Sequence, residues 1–167
     1  MQSKARIANH PLHPMLIIIP AGAFVTTLVF DVVYLITGVP VWWEATMPLL
    51  LVGVIGGLVA AIPGVVDLVA VVPKQNATRI GVTHMLLNVL VVALSAWNAA
   101  LRWAVEVPPT QGRISTGFWL SLIAVALLAV SGWLGWKMVY EYHVGVLEHP
   151  AARDVRGEEG RLRGAAD

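Results

Sequence analysis

Cysteine is absent from the chain, and charged side chains are scarce. Without a thiolate the chain forms no disulfide, iron–sulfur cluster, cysteine zinc site or covalently attached c-type haem. Charged residues make up 13% of the sequence, whereas a soluble domain carries about 25%. The sequence has no nucleophile–base set, phosphate-binding loop or zinc-protease motif. We therefore expect neither a stand-alone enzyme nor a nucleic-acid partner.

Hydrophobic residues account for 57% of the chain, and the low charge points to lipid as its solvent. Four segments reach the roughly 20 apolar residues needed to cross a bilayer, namely about 15–36, 47–72, 80–105 and 116–140. We predict an all-α integral membrane protein, a four-helix bundle with antiparallel, up-down-up-down helices. Residues 1–146 form this four-span domain. The Arg-, Glu- and Gly-rich residues 147–167 are expected to be a disordered cytoplasmic tail.

The distribution of basic residues predicts the orientation. Four spans leave both termini on one side, and all but two of the eleven lysines and arginines fall there. Only Arg102 and Arg113 fall on the other side. The positive-inside rule then places both termini in the cytoplasm, and no cleavable signal is expected because the first apolar run is too long. We predict a multi-pass protein of the inner (plasma) membrane.

Small residues predict close helix packing. Gly53 and Gly57 recur at four-residue spacing in the second span, where Gly64 follows, and Gly132 and Gly135 lie in the fourth. Such residues let helices approach closely in lipid. Asp31, in the outer half of the first span, is expected to bond within the bundle to Asn98 or Ser121.

The predicted topology brings the histidines to the side that carries the termini. His10 and His13 precede the first span, and His13 is predicted to be the last residue before its helix. His84 lies about one turn inside the third span, and His143 follows the fourth. His149 lies in the tail and is expected to be solvated. Asp67 and Asn88 are placed near the same face.

Several interpretations of this face stay open. Imidazoles with a carboxylate suit a transition metal, two histidines from different helices could bracket a b-type haem, and Asp67, His84 and Asn88 could relay protons. His10 and His13 could equally be ordinary loop residues. His84 could hydrogen-bond Asp67 to hold two helices together.

The ordered motifs resemble a known family. They are His10-Pro-Leu-His-Pro-Met15, Val29-Phe-Asp31, Pro63-Gly64-x-x-Asp67, His84-x-x-x-Asn88, and Gly132-Trp-Leu-Gly135 followed by Val139-Tyr140 and Val144-Gly-Val146. Over residues 9–146 the chain is similar to bacterial membrane proteins of the domain of unknown function 2231 family. The resemblance implies four transmembrane helices and no established activity. Relatives that look fused to Rieske-type or cytochrome-type domains imply an association with electron transfer.

Two residues depart from the family pattern. Tyr142 stands where relatives often carry histidine, and His143 follows it, a shift of about 100° around a helix. Trp136 replaces a glycine and narrows any cleft beside the fourth span. Both departures weaken the haem interpretation more than a structural one.

Our leading hypothesis is a haem- or metal-binding membrane module associated with electron transfer. Its surroundings would be the lipid bilayer, and its partner would be a redox protein or a second copy of the chain. His13 and His84 are the principal predicted ligands, with His10 and His143 as further ones. Asp67 and Asn88 would orient them. The alternative is a structural or assembly subunit without a cofactor, and the third candidate is a small transporter or proton conductor.

Overall fold

The computed structural model describes residues 3–104, 108–110, 113 and 115–146, and within them it confirms the predicted four-span fold. The four apolar helical stretches are Leu12–Thr37, Pro40–Ala70, Thr78–Trp103 and Thr116–Tyr140. Each is long enough to cross about 30 Å of hydrocarbon at 1.5 Å per residue. The predicted tail at 147–167, and His149 within it, lie outside the described residues.

A short hairpin precedes the first span. Strands β1 (Arg6–Ile7) and β2 (His10–Pro11) pair antiparallel, with Ile7 opposite His10. The two turn residues, Ala8 and Asn9, have φ of 47° and 65°, as a two-residue hairpin turn requires. The sequence did not predict this hairpin, because neither turn residue is the glycine that usually marks a two-residue turn.

The first span begins earlier than predicted and is divided in two. Helix α1 covers Leu12–Leu16 and α2 covers Ile18–Thr37. His13 therefore lies inside α1 and not before it, since Pro14 is tolerated in a first helical turn, where its missing N–H has no partner to lose. Gly38 ends α2 with φ of 67°, the left-handed conformation that glycine adopts without strain.

The remaining helices follow with short connections. Helix α3 covers Pro40–Glu44 and α4 covers Thr46–Ala70, with Pro63 inside it. A 3₁₀ turn at Val72–Gln75 leads to α5 at Thr78–Trp103. Helix α6 covers Thr116–Tyr140, and the Ser115 hydroxyl caps it by accepting a hydrogen bond from the Phe118 N–H.

The helices pack so that each of the four long ones has two principal neighbours. Helix α2 contacts α4 and α6, and α5 contacts α4 and α6, while α1 lies against α4. Phe24, Leu50, Val91 and Ala124 form the centre of the core. Apolar side chains such as Ile18 (71% exposed) and Val69 (72% exposed) cover the outside. An apolar exterior is what a bilayer-spanning bundle presents to lipid chains.

Glycines allow close approach at particular points of these contacts. A Cβ at Gly53 would lie 2.3 Å from the Phe24 ring, and one at Gly57 would lie 2.9 Å from Val92. Gly132 differs, because a Cβ there would have no atom within 4 Å. Its predicted packing role therefore has no counterpart among the residues that the structure describes.

The bundle has two ends, here named the terminal face and the opposite face. The terminal face carries residues 3–11, 71–77 and 141–146. The opposite face carries residues 38–45 and the described residues between 104 and 115.

Candidate functional site

A pair of histidines lies inside the bundle near the terminal face. The rings of His13 and His84 have centroids 6.3 Å apart and stand nearly perpendicular, at 85°. His13 comes from α1 and His84 from α5, and both are partly buried. Antiparallel folding thus brings together two imidazoles that are far apart in the chain, as the predicted topology requires.

Each histidine packs against a glycine of a neighbouring helix. A Cβ at Gly64 of α4 would lie 2.9 Å from Nδ1 of His13, and one at Gly135 of α6 would lie 3.3 Å from Cε1 of His84. The two glycines leave the space that the rings fill. The family-like motifs around Gly64 and Gly135 thus have a direct steric reason.

Main-chain carbonyls fix one nitrogen of each ring. Nδ1 of His13 lies 2.8 Å from the Ala60 carbonyl oxygen, and Nδ1 of His84 lies 2.8 Å from the Ser131 carbonyl oxygen. Since a carbonyl only accepts hydrogen bonds, both Nδ1 atoms carry the proton. The lone pair of each neutral ring is then on Nε2.

Asn88 and Ser131 surround His84. The Asn88 side-chain nitrogen lies 2.6 Å from the Ser131 hydroxyl, 2.8 Å from the His84 carbonyl oxygen and 3.2 Å from Nε2 of His84. An amide nitrogen has two hydrogens for these three acceptors. The contact with Nε2 is the longest, so it is the weakest of the three. Asn88 thus occupies the predicted position beside His84.

The other predicted ligands do not join the pair. His10 is exposed, and its Nδ1 bonds the Ala8 carbonyl oxygen at 2.8 Å. His143 is exposed in the turn after α6, with φ of 52°. Across the described ranges, no group of three or more His, Cys, Asp or Glu side chains could hold a metal ion. The hairpin turns His10 outward, and the end of α6 leaves His143 at the surface.

Asp67 binds the N-terminal segment instead of the histidines. Its carboxylate accepts hydrogen bonds from the Ser3 hydroxyl at 2.6 Å and the Lys4 N–H at 2.8 Å, with the Ala5 N–H at 3.5 Å. Ser3 is consequently only 3% exposed. The predictions that Asp67 orients the histidines and that it bonds His84 are wrong, because residues 3–5 bind both of its carboxylate oxygens.

A second polar cluster lies toward the opposite face, and its central residue was missed. Arg102 of α5 is 7% exposed and contacts Asp31 of α2, Asn98 one turn earlier and Thr46 of α4. Ser121 of α6 donates to the same Asp31 oxygen at 2.7 Å. Side chains from all four long helices therefore meet here. The Ser121 bond to Asp31 was expected, whereas Arg102 was predicted only to lie on the side opposite the termini, with no partner inside the bundle.

A sequence signal for Arg102 did exist. Five polar residues recur at steps of three, four or seven residues along α5, which puts them on one helix face. They are His84, Asn88, Ser95, Asn98 and Arg102. That face is the interior one, because Ser95 and Asn98 are 2% and 1% exposed. An intramembrane aspartate also implies a cationic partner.

Comparison with known proteins gives a family and no characterised relative. No curated protein and no solved structure matches the chain. The family described as "Predicted membrane protein (DUF2231)" matches residues 9–148. This match covers most of the chain, including both histidines of the pair, Asp67, and the cluster around Arg102. The chain therefore belongs to the domain of unknown function 2231 family.

Proposed function

We propose that this multi-pass membrane protein uses Nε2 of His13 and Nε2 of His84 to bind a transition metal, either as a free ion or as haem iron, in electron transfer. The observation that carries the proposal is the matched pair of Nδ1 bonds to the carbonyl oxygens of Ala60 and Ser131. Metal-binding histidines usually donate their other ring N–H in this way, which fixes the ring and the free lone pair.

The spacing of the rings is compatible with a shared metal. Metal–imidazole bonds are about 2 Å long, so two rings on one ion have centres about 6 Å apart. The His13 and His84 centroids are 6.3 Å apart. Imidazole is a suitable ligand for copper, zinc and iron. Two imidazoles leave further coordination positions, which water or the four porphyrin nitrogens would supply.

Asn88 does not block such a site. Its contact with Nε2 of His84 is 3.2 Å, and the same amide nitrogen lies closer to the Ser131 hydroxyl and the His84 carbonyl oxygen. A metal can take the lone pair while both amide hydrogens keep their acceptors. The association with electron transfer rests on the family resemblance alone. Cytoplasmic termini, and a location in the inner membrane, belong to the same proposal through the positive-inside rule.

The test is the absorption spectrum and metal content of the protein purified in mild detergent. Apoprotein is then titrated separately with haemin and with Cu²⁺ or Zn²⁺, so that haem iron and a free ion give different readouts. We expect binding that His13→Ala and His84→Ala each abolish and that His10→Ala leaves unchanged. A colourless, metal-free protein that binds none of these additions overturns the proposal.

A structural role is the second candidate, and a specific observation favours it. In the described part of the chain, every fully buried side-chain nitrogen and oxygen has a hydrogen-bond partner. The histidine pair could therefore serve only to hold α1, α4, α5 and α6 together. Under this alternative, Asn88→Ala lowers the unfolding temperature and changes no spectrum. Under metal binding, Asn88→Ala keeps or strengthens metal affinity because it frees Nε2 of His84.

A further inference from the structure

One oxygen of Asp31 has no hydrogen-bond donor among the described residues, although Asp31 itself is only 5% exposed. Its Oδ2 accepts hydrogen bonds from Nη2 of Arg102 at 2.8 Å and from the Ser121 hydroxyl at 2.7 Å. Its Oδ1 has no donor among the described residues. Among the described residues no fully buried side-chain oxygen lacks a partner, so an Oδ1 without a donor lies beside accessible space.

That space is a small cavity at the opposite face. It measures about 10 Å³ and is lined by Asp31, Tyr34, Leu35, Trp43, Arg113 and Ser115 among others. A volume of about 10–15 Å³ holds one water molecule if polar groups surround it. Among the lining residues, Asp31, Tyr34, Arg113 and Ser115 carry polar side chains. The cavity thus reaches the smallest volume that holds one water molecule.

We propose that this cavity binds one water molecule, and that this water lets the Asp31 carboxylate exchange protons with the aqueous phase at the opposite face. The proton passes from a hydronium ion to Oδ1, giving a neutral carboxylic acid and leaving water in the cavity. Oδ2 keeps its bonds from Arg102 and Ser121 throughout. This inference does not depend on the histidine pair.

The charged and titratable groups near Asp31 come from two helices and a loop: Arg102 of α5, Tyr34 of α2 and Arg113. The other elements contribute uncharged groups, namely Trp43 of α3, Thr46 of α4, Ser121 of α6 and Ser115 just before α6. The Tyr34 hydroxyl donates to the Pro109 carbonyl oxygen. Arg102 opposes protonation because it would lose its counter-charge. An acid inside a membrane bundle is a functional group by default, because its burial is costly.

Infrared difference spectroscopy of the purified protein tests the proposal. Acidification should produce a carboxylic acid C=O band that shifts in D₂O and is absent in Asp31→Asn. Leu35→Phe fills the cavity while leaving the acid in place, and it should slow the H/D exchange of this band about tenfold or more. The matched control is Val32→Phe on the same helix, where the side chain is 38% exposed; exchange should stay unchanged.

Two results would overturn the proposal. One is the lack of any Asp31-dependent band that responds to pH and D₂O. The other is unaltered exchange in a folded Leu35→Phe variant. If that variant does not fold, radiolytic footprinting of the unmodified protein decides the question. Radicals formed from a water bound in the cavity should oxidise the side chain of Tyr34 or Leu35. The absence of oxidation at both residues would overturn the proposed water site.

Discussion

Arg102 and Asp31 form an ion pair of 2.8 Å across the bundle, although 71 residues separate them in sequence. Their side chains are 5% and 4% exposed. Removing one partner of a buried pair leaves an uncompensated charge, whereas replacing both with apolar residues is often neutral. The stability of the bundle should therefore depend on the two residues jointly.

The first prediction concerns this pair. Arg102→Met should destabilise the bundle by about 3–5 kcal/mol because the Asp31 carboxylate loses its counter-charge. The double variant Asp31→Leu with Arg102→Met should recover most of that loss. Denaturant unfolding in detergent measures both, with Arg79→Met, an exposed arginine at the other end of α5, as the control. A double variant as unstable as Arg102→Met would contradict the explanation.

A second prediction concerns the contact between α2 and α4. Gly53→Ala places a methyl group 2.3 Å from the Phe24 ring, so the helices or the ring must shift, at a cost of about 1–3 kcal/mol. Gly132→Ala is the matched control, because a Cβ there has no neighbour within 4 Å. Thermal unfolding in detergent compares them. Adding Phe24→Leu should restore part of the stability that Gly53→Ala loses. Equal stability of the two alanine variants would contradict this packing.

The third prediction rests on the proposed metal site. Gly64→Ala puts a methyl group 2.9 Å from Nδ1 of His13, which displaces the ring and its bond to the Ala60 carbonyl oxygen. Loss of such a supporting bond typically lowers metal affinity about 10–100-fold. Titration of the apoprotein with haemin or Cu²⁺ measures the effect, and Gly22→Ala, which meets no neighbour within 4 Å, is the control. Unchanged affinity in Gly64→Ala would separate His13 from the site.

The N-terminal segment provides a fourth prediction. Asp67→Ala removes the acceptor for the Lys4 N–H and the Ser3 hydroxyl. Hydrogen bonds to a charged group contribute about 1.5–3 kcal/mol, so amide exchange at Lys4 and Ala5 should accelerate roughly tenfold or more. Hydrogen–deuterium exchange with mass spectrometry detects this, with amides of α5 as the internal control. Protection that survives in Asp67→Ala would show that other contacts hold the segment.

A fifth prediction tests the orientation. Because the chain has no cysteine, a single introduced cysteine reports its own side of the membrane. Thr110→Cys, at the exposed opposite face, should react with a membrane-impermeant maleimide in intact spheroplasts. Asn9→Cys, at the terminal face, should react only after lysis. The reverse pattern would place both termini outside and contradict the positive-inside assignment.

Hydropathy and residue spacing were sufficient to predict the spans and the meeting of His13 with His84. Length fixes which segments cross a bilayer, and antiparallel folding then fixes which residues share a face. The start of α1 was predicted too late because Pro14 was read as the beginning of the helix. The hairpin before it was not predicted, since Ala8 and Asn9 do not form a strong turn signal.

The partners of Asp67 and Arg102 could not be predicted, for different reasons. Asp67 is engaged by Ser3 and Lys4, in a segment whose fold depends on contacts made more than 60 residues away. Arg102 lies near a helix end, where charge is usually assigned to water or the membrane interface. Only its spacing from Asn98 on α5, taken together with Asp31, indicates that it turns inward.

The cluster at Arg102 has a consequence for how the protein is made. Its contacts come from α2, α4, α5 and α6, so they cannot be completed before the last segment leaves the ribosome and enters the bilayer. A nascent chain that stops before Thr116 lacks the Ser121 hydroxyl and carries a poorly satisfied carboxylate in its first segment. Biogenesis thus depends on α6, and chains terminated before it should be recognised and degraded by membrane quality control.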